Sequence, residues 1–479
     1  MEIKLEKMDE NRWLIPRKGN MRVPGLIFSN SRLIKDVQRD QSLNQVVNVA
    51  MLPGIIQHSI AMPDIHLGYG FPIGGVAAFR MEDGIISPGG VGYDINCGCR
   101  LMTTALTETE IRPNIKGLVS ALFKDIPAGV GVKGNIILSK KEEAKVATEG
   151  ASWAVKNGLG QPGDLERTED HGAIGGADPS VLSERAVKRG LDQLGTLGSG
   201  NHFLEIQVVD RIYDSPTAHV FNLFEGQITV LIHSGSRGFG HQICDDFLKE
   251  MGSHIQLKNL QLPDRQLVYA PLDSDLGRRY FSAMACAANY AWANRQVLMH
   301  LTQKTFLSAL STGPNQLGMQ LLYDVCHNIA KKESHYVDGQ ETACCVHRKG
   351  ATRSLPPGHP LLPQIYRQTG QPVLIPGDMG TYSYVLAGYR GAMGQSFGSC
   401  CHGAGRVLSR SKAVKMAKGR SVHRELEDKG IFIQSRGKRT LKEEMPDAYK
   451  DVSQVVEVVH QTELAKKVAR LRPLGVIKG

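Results

Sequence analysis

Short apolar runs that lead toward glycine turns recur along this chain. The runs GVAAF, ITVLIH and PVLIPG, at 75–79, 228–233 and 372–377, are short and rich in β-branched or small apolar residues. This pattern is typical of buried strands, and the turns that follow buried strands often carry functional residues. We therefore expect the reactive side chains of this protein to lie at strand ends.

Two other segments have different patterns. Residues from about 276 to 310 are rich in Ala, Met and Leu with helical spacing, which predicts one long, largely buried helix. Residues 157–195 are polar and glycine-rich, which indicates a surface excursion that ends in a short helix. Reactive loops lie on both sides of that excursion, so we expect residues 1–479 to form a single domain.

Composition narrows the class of protein. The chain has 479 residues, 41% of them hydrophobic, and no apolar run approaches the roughly 18 residues needed to cross a bilayer. We expect a soluble, cytoplasmic protein, because the N-terminus lacks the apolar region of a secretory signal. Nine cysteines, an odd number with two adjacent pairs, disfavour a secreted disulfide framework. The formal charge of +10 is compatible with a polyanionic partner but is weak evidence alone.

Five side chains on glycine-rich turns predict a metal centre. In chain order they are Asp94, Cys97, His202, His233 and His327. Five ligands are too many for one four-coordinate ion, so two ions that share the cysteine sulfur is the economical arrangement, with manganese or zinc as candidates. The alternative for Cys97, and for nearby Cys99, is that both are small buried hydrophobic residues.

The segment SFGSCCHGAGRVLSRSK places His402 before Arg406 and Arg410. Arginines suit phosphate oxygens, and an uncharged imidazole can attack phosphorus to form a phosphoramidate. We therefore interpret His402 as a nucleophile, with a hydrogen-bonded core histidine as the alternative. Arg237 stands between a strand and a probable helix, where it suits an anion, although a structural turn with a surface arginine explains the pattern equally well.

These motifs together resemble the RtcB family of RNA ligases. PGGVGYDINCGCR, LGTLGSGNHFLEIQ, LIHSGSRGFGH, VHRKGATR, CHGAGR and the closing Lys478 occur in that order, and the resemblance runs from MPDIHLGYGFPIGG to the end of the chain. So many motifs in one order are highly specific. The resemblance implies a compact α/β (α+β) fold with mixed β-sheets at its core and peripheral helices.

The resemblance also implies a function. Members of this family join an RNA 2′,3′-cyclic phosphate or 3′-phosphate to a 5′-hydroxyl, as in tRNA splicing and RNA repair. They use GTP and two Mn²⁺ ions, for which Zn²⁺ or Co²⁺ are alternatives. The implied partner is RNA, as tRNA halves or broken transcripts, and the small protein archease is a further partner of the family.

Individual roles follow by motif. The resemblance implies that Cys97 bridges the two ions and that His402 becomes guanylylated. The other ligands divide into two pairs, His233 with His327 and Asp94 with His202. The guanylate pocket maps to Asn201, Phe203, Glu205, Asn328, Ser383, Ala404, Gly405, Tyr449 and Lys478. The basic positions that handle phosphate or RNA are Arg237, Lys349, Arg406 and Arg410.

Two other functions stay open. A binuclear metal phosphodiesterase or cyclic phosphatase would use the same ligands but would leave His402 without a role. A non-catalytic RNA-binding splicing scaffold would keep the fold without turnover. Asp378 departs from the resemblance, since the family usually has a small hydroxyl residue there. Its carboxylate could face outward, bind a base donor or repel phosphate.

Overall fold

Two large β-sheets form the centre of the computed structural model, which describes residues 3–479. In chain order, the nineteen strands of these residues, β1 to β19, are Glu6–Lys7, Arg12–Ile15, Gly25–Phe28, Ser59–His66, Ile73–Arg80, Ile85–Ile86, Gly98–Thr107, Phe203–Ile212, Gln227–Ser234, Ala270–Pro271, Gln320–Cys326, Asn328–Val337, Gln340–Lys349, Ala351–Arg353, Pro372–Ile375, Ser383–Gly388, Ser399–Cys401, Phe432–Ser435 and Ala465–Lys478. The three apolar runs singled out in the sequence lie in β5, β9 and β15, which confirms their prediction as strands.

The sheets mix parallel and antiparallel pairs. One has seven strands in the order β1-β2-β3-β4-β5-β13-β12. The other has eight, in the order β11-β7-β9-β8-β19-β16-β15 with β18 beside β19. The pairs β3/β4 and β18/β19 are parallel, within sheets that are otherwise antiparallel. This arrangement confirms the expected mixed α/β fold, while the expectation of a single domain stays a prediction.

Helices surround the sheets, and one helix is buried. Within residues 3–479 the α-helices, α1 to α18, are Leu33–Val37, Ser42–Val49, Pro88–Val91, Glu108–Ile111, Ile115–Asp125, Lys140–Glu149, Ala151–Lys156, Pro162–Glu166, Glu184–Gly190, Ser215–Val220, Arg237–Leu257, Asp275–Ala309, Pro314–Leu317, Gly391–Ser396, Arg410–Met416, Val422–Glu427, Lys438–Glu443 and Val452–Gln461. The segment predicted as a long buried helix is α12, capped at its start by the Ser274 side chain. In the described range, no helix is both long and apolar enough to traverse a bilayer.

The segment 157–195 is only partly a surface excursion. It contains α8 and ends in α9, but Glu169 between them is buried. The Glu169 carboxylate lies 2.5 Å from the Lys331 ammonium and accepts the backbone N–H of Cys326 at 2.8 Å. The middle of this segment is therefore buried, because its acidic residues pair with buried cations that the local sequence does not reveal, and the surface excursion as a whole stays a prediction.

Strand register brings the reactive turns to the same end of five neighbouring strands of the eight-stranded sheet, β11, β7, β9, β8 and β19. Gly98 at the start of β7 lies opposite Cys326 at the end of β11. Phe203 at the start of β8 lies opposite His233 near the end of β9 and opposite Lys478 at the end of β19. Residues next to these positions, which include the predicted ligands, therefore lie at the same end of the sheet.

Candidate metal centre and nucleotide site

The predicted metal ligands converge at this end of the eight-stranded sheet. The Sγ atom of Cys97 lies 3.2 Å from the Nε2 atoms of both His202 and His233. The Nε2 atoms of His233 and His327 are also 3.2 Å apart. The Nε2 atom of His202 lies 2.7 Å from a carboxylate oxygen of Asp94. The structure thus brings all five side chains together, and their role as ligands stays a prediction.

Burial and charge at this cluster fit a divalent cation. Burial lowers the pKa of His233 and of His327 well below the ordinary value, so both rings are neutral at pH 7. Burial opposes ionisation of Asp94, but His202 and nearby cationic groups outweigh it and hold the carboxyl pKa far below its usual range. Among residues 3–479, nothing hydrogen-bonds to the buried Oδ1 of Asp94. Neutral imidazoles, a sulfur and a free carboxylate oxygen suit an ion such as Mn²⁺ or Zn²⁺.

Cys99 is a candidate ligand that sequence reasoning set aside as a hydrophobic residue. Its Sγ atom and ring nitrogens of His233 and His327 all lie within 4.8 Å of one another. Cys99 is directly opposite His233 in the β7/β9 pair, so the two side chains share a face of the sheet. The signal that could have found it is the Cys-Gly-Cys spacing, since alternate residues of a strand point the same way.

His402 lies beside the cluster and is held by Asp64, which sequence reasoning missed. The Nδ1 atom of His402 is 2.6 Å from Oδ2 of Asp64, which also accepts the backbone N–H of His402 at 3.0 Å. Burial opposes ionisation of Asp64, but His402 outweighs it, so the Asp64 pKa lies below its ordinary value. A carboxylate at Nδ1 favours the tautomer with a free Nε2. The His402 ring centroid is 4.8 Å from that of His327.

Four of the predicted guanylate residues cluster around the end of β19. Burial raises the pKa of Glu205 to about 8. The Gln207 amide donates to Glu205 at 2.5 Å and to the Ser383 hydroxyl at 3.0 Å. The Lys478 ammonium lies 6.0 Å from the Phe203 ring centroid. Glu205 and Lys478 are both buried, and the charge of each lowers or raises the pKa of the other.

The other predicted pocket residues lie on adjoining loops. The Asn328 amide donates to the Asp94 carbonyl oxygen at 3.0 Å. Ala404 and Gly405 follow His402 directly, and Gly405 has a φ of 73°. A Cβ atom at Gly405 would lie 2.1 Å from the Asp64 carbonyl oxygen, so only glycine fits there. Asn201 is exposed and directly precedes His202 in the chain.

Tyr449, Arg406 and Arg410 form a second group, centred on Glu444. The Tyr449 hydroxyl donates to Glu444, and the Arg406 guanidinium contacts the same carboxylate at 3.0 Å. Arg410 donates to the other Glu444 oxygen at 3.3 Å. Arg406 lies in a loop and Arg410 begins α15, so the two are not on one helix, although residues four positions apart would be neighbours on a helix. Glu444 is buried, and sequence reasoning missed it.

Two predicted phosphate-binding cations already have protein partners. The Lys349 ammonium donates to three backbone carbonyl oxygens, and burial lowers its pKa to about 7. Its contacts therefore do not support a role in phosphate binding. Arg237 is the first residue of α11, with a φ of 56°, and its guanidinium lies 3.0 Å from Nδ1 of His202. Arg237 therefore contacts a predicted metal ligand, at the ring nitrogen that does not face Asp94.

Asp378, the departure from the family pattern, closes its own turn. Its carboxylate accepts the Thr381 hydroxyl at 2.7 Å and the Gly380 N–H at 2.8 Å. The side chain is nearly buried, and burial raises its pKa. This contact pattern is an Asx-type turn, which explains the carboxylate without a nucleotide.

Comparisons with known proteins show the family of this chain. A profile of the family described as "tRNA-splicing ligase RtcB" matches residues 45–479. The tRNA-splicing ligase RtcB of Thermococcus kodakarensis is 52% identical over 478 residues, which cover 100% of this chain and 99% of that protein. Proteins of the same name from Archaeoglobus fulgidus and Methanococcus maripaludis are each 50% identical over 481 residues, which cover 100% of this chain and of each relative. This chain therefore belongs to the RtcB family.

Proposed function

We propose that this protein is a GTP- and Mn²⁺-dependent RNA ligase that joins an RNA 2′,3′-cyclic phosphate or 3′-phosphate to a 5′-hydroxyl. Family membership supports an RNA ligase of tRNA splicing, and RNA repair is a second proposed use. The finer chemistry depends on one observation. The Nδ1 atom of His402 lies 2.6 Å from Asp64, and the His402 ring packs against His327. His327 belongs to a buried cluster of side chains that could hold a metal ion.

The ligand cluster would hold two divalent ions. Its members are Asp94, Cys97, His202, His233 and His327, and we propose that the Cys97 sulfur is shared. When bound, such ions neutralise the charge on phosphate oxygens as bonds to phosphorus form and break. Mn²⁺ accepts this mixture of nitrogen, oxygen and sulfur donors, and Zn²⁺ or Co²⁺ are alternatives.

His402 performs the first step. Its Nδ1–H donates to Asp64, so the Nε2 lone pair is free to attack the α-phosphorus of GTP. A nitrogen–phosphorus bond forms, the bond from the α-phosphorus to the bridging oxygen breaks, and pyrophosphate leaves. Asp64 stabilises the positive charge that develops on the ring, as the aspartate of a catalytic triad does.

RNA enters in the next steps. Water opens a cyclic phosphate to a 3′-phosphate, and an oxygen of that phosphate attacks the phosphorus of His402-bound GMP. The nitrogen–phosphorus bond breaks, which frees His402 and leaves an RNA(3′)pp(5′)G end. The RNA 5′-hydroxyl then attacks the 3′-phosphate, loses its proton and displaces GMP. GMP is the leaving group that a phosphate monoester otherwise lacks.

Glu205 and Lys478 support a preference for guanine. A carboxylate accepts hydrogen bonds from the N1–H and N2–H groups of guanine, and an ammonium donates to its O6 atom. Adenine presents an acceptor at N1 and a donor at the 6-position, which reverses both contacts. A nucleotide that leaves buried polar groups unpaired is rejected strongly.

The proposed partners follow from this reaction. RNA with 3′-phosphate or cyclic phosphate ends and 5′-hydroxyl ends is the substrate, and the net charge of +10 favours a polyanion. Arg410, whose side chain is 56% exposed at the edge of the site, is the best placed of the predicted cations to meet RNA. Archease as a partner and a cytoplasmic location are proposals that rest on the family resemblance.

Labelling with α-labelled GTP tests this proposal. Purified protein with Mn²⁺ should acquire a covalent label that is acid-labile and alkali-stable, the behaviour of a phosphoramidate. Added RNA with a 3′-phosphate should then remove the label from the protein. The ligand cluster alone favours a second candidate, a binuclear phosphodiesterase. Opening of cyclic phosphate without GTP, and without any label, would favour that hydrolase, and RNA binding with neither activity would favour a scaffold.

A further inference from the structure

The helix α12 carries polar residues in its middle, where the rest of the helix is buried among apolar side chains. Asn289, Asn294, Arg295 and Gln296 are all fully buried. A buried charge is strongly destabilising unless it is paired and hydrogen-bonded. The contacts of Arg295 show what this buried charge holds in place.

Every N–H donor of Arg295 has a partner. The Nε atom and one terminal nitrogen each donate to a carboxylate oxygen of Asp324 at 2.8 Å. The other terminal nitrogen donates to the carbonyl oxygens of Asn96 at 2.7 Å and of Ser234 at 3.0 Å. The fifth contact, at 3.1 Å, is to the Asn96 side-chain oxygen. A guanidinium has five donors, so the set is complete.

Arg295 thereby touches three chain segments that carry candidate ligands. The carbonyl of residue 96 directly precedes Cys97, and that of residue 234 directly follows His233. The carboxylate of residue 324 lies three positions before His327, on the same strand end. A Cβ atom at Gly98 would lie 3.0 Å from the guanidinium carbon, so a glycine permits this close packing.

Asn294, the neighbour of Arg295 on α12, holds a fourth segment. Its side-chain oxygen accepts the backbone N–H groups of residues 195 and 196 at 2.8 and 3.1 Å. Its amide nitrogen donates to the Ser234 hydroxyl at 3.1 Å. The held segment continues to Leu197, whose carbonyl oxygen lies 3.0 Å from Nδ1 of His202. Two adjacent residues of α12 therefore contact the segments that carry the predicted ligands, through backbone groups at residues 96, 195, 196 and 234 and through the side chain of Asp324.

We propose that Arg295, assisted by Asn294, is a positioning residue that fixes the spacing of the metal ligands. This inference rests on the proposed metal centre. Donor atoms must sit within a few tenths of an ångström of about 2.0–2.3 Å from an ion, so small shifts of the turns weaken binding. A planar guanidinium can reach three segments at fixed angles, whereas a lysine ammonium is a single point charge that cannot.

Arg100 provides a matched control within the same ion pair. It is fully buried, and its Nε donates to Asp324 at 2.8 Å. Its remaining contacts go to Gln296, Met299 and Thr168. None of those three residues adjoins a candidate ligand. Replacement of Arg100 therefore weakens the shared contact with Asp324 but leaves the contacts of Arg295 with residues 96 and 234 in place.

Titration with Co²⁺ tests the proposal, with binding followed by thiolate-to-cobalt absorption in the whole protein. Arg295→Lys should weaken Co²⁺ binding about 10- to 100-fold, the range found when outer partners of metal ligands are removed. Arg100→Lys should bind Co²⁺ nearly as the unaltered protein does. Thermal unfolding without metal should show a similar loss of stability in both, because both leave Asp324 with a poorer partner. Equal Co²⁺ affinities in the two variants would overturn the proposal.

A second variant covers the case in which Arg295→Lys fails to fold. Asn96→Gly keeps the left-handed backbone, with its φ of 52°, but removes the side-chain acceptor for Arg295. It should weaken Co²⁺ binding, by less than Arg295→Lys does. Unchanged affinity in Asn96→Gly would count against the positioning role. Absence of thiolate absorption in the unaltered protein would instead overturn the proposed metal centre, which separates the two failures.

Discussion

The candidate metal centre and the Glu444 group are built in different ways. The ligands stand at ends of strands whose register fixes their backbones, and α12 braces those ends from behind. Around Glu444, Tyr449 and two arginines lie on loops and short helices, and they hold their places by contacts with one another. The candidate metal centre is thus set by the backbone, whereas the Glu444 group is held by side-chain contacts, which we expect a bound ligand to replace. Substitutions at the first should remove chemistry, and substitutions at the second should tune binding.

The largest expected effect is that of His402→Ala. Without Nε2 there is no nucleophile, so the covalent GMP label and the ligation of 3′-phosphate RNA should both fall below detection, while the protein still folds, with a lower melting temperature because buried Asp64 loses its partner. Gel autoradiography with α-labelled GTP measures the label. His66 is the matched alternative, because its Nδ1 atom also contacts Asp64, at the carbonyl oxygen, 2.9 Å away. His66→Ala should keep the label, and a label that persists in His402→Ala would refute the assignment.

The next largest effects concern the thiols of Cys97 and Cys99 at the start of β7. Cys97→Ser should lower Mn²⁺-dependent labelling by about 100-fold or more, since a hydroxyl replaces the proposed shared sulfur. Cys99→Ser should lower it much less, because Cys99 stands with His233 and His327 alone. Titration of labelling against Mn²⁺ concentration measures both. The reverse order of effects would assign the shared sulfur to Cys99.

The strand-end residues were predictable because each carries its own local signal. Asp94, Cys97, His202 and His233 are reactive side chains on glycine turns next to apolar runs, and local sequence is enough to single them out. That they meet depends on strand order, which the sequence pattern does not supply. The mixed α/β class could be expected, but the register that places Gly98 beside Cys326 could not.

The residues that were missed act through distant partners. Asp64 meets His402 across 338 positions of sequence, and no local pattern marks a carboxylate as the partner of one particular histidine. Arg295 lies in a helix that was expected from its apolar spacing, and its buried charge makes sense only beside Asp324. Asp378 shows the opposite case, since a carboxylate that stands out from the family pattern proves to satisfy its own turn.

The pH dependence of GTP binding tests the proposed nucleotide pocket. Burial raises the pKa of Glu205 to about 8, so the folded protein holds this proton more strongly than the unfolded chain does. The stability contributed by the bound proton is therefore lost as the pH rises from the ordinary carboxyl range toward about 8. Guanine needs the carboxylate form, so GTP affinity should rise about tenfold per pH unit below that value and level off above it.

Isothermal titration with GTP between pH 6.5 and 8.5 measures this effect. Glu205→Gln should bind GTP about 10- to 100-fold more weakly, by loss of the carboxylate acceptor, and should lose the pH dependence. Gln207→Glu is not a useful control, because it adds a charge, so Glu143→Gln serves instead, since Glu143 is another buried carboxyl whose pKa burial raises, to about 7, and it packs against Gly190. A pH profile in Glu205→Gln that matches the unaltered protein would remove Glu205 from the nucleotide pocket.

The smallest effect is expected at the exposed edge of the Glu444 group. Arg410→Gln removes a half-exposed cation, so the KM for RNA should rise a few-fold and the salt dependence of RNA binding should become shallower by about one phosphate contact. Labelling by GTP should stay near normal, because Arg406 and Tyr449 keep their contacts with Glu444. Arg279→Gln is the matched control, because Arg279 is a partly exposed arginine paired with Glu250, and it should leave RNA binding unchanged. If Arg410→Gln instead abolishes labelling, the Glu444 group takes part in the first chemical step, because a residue that only tunes RNA binding cannot remove that step. The proposed division between the candidate metal centre, which supports chemistry, and the Glu444 group, which tunes binding, would then be wrong.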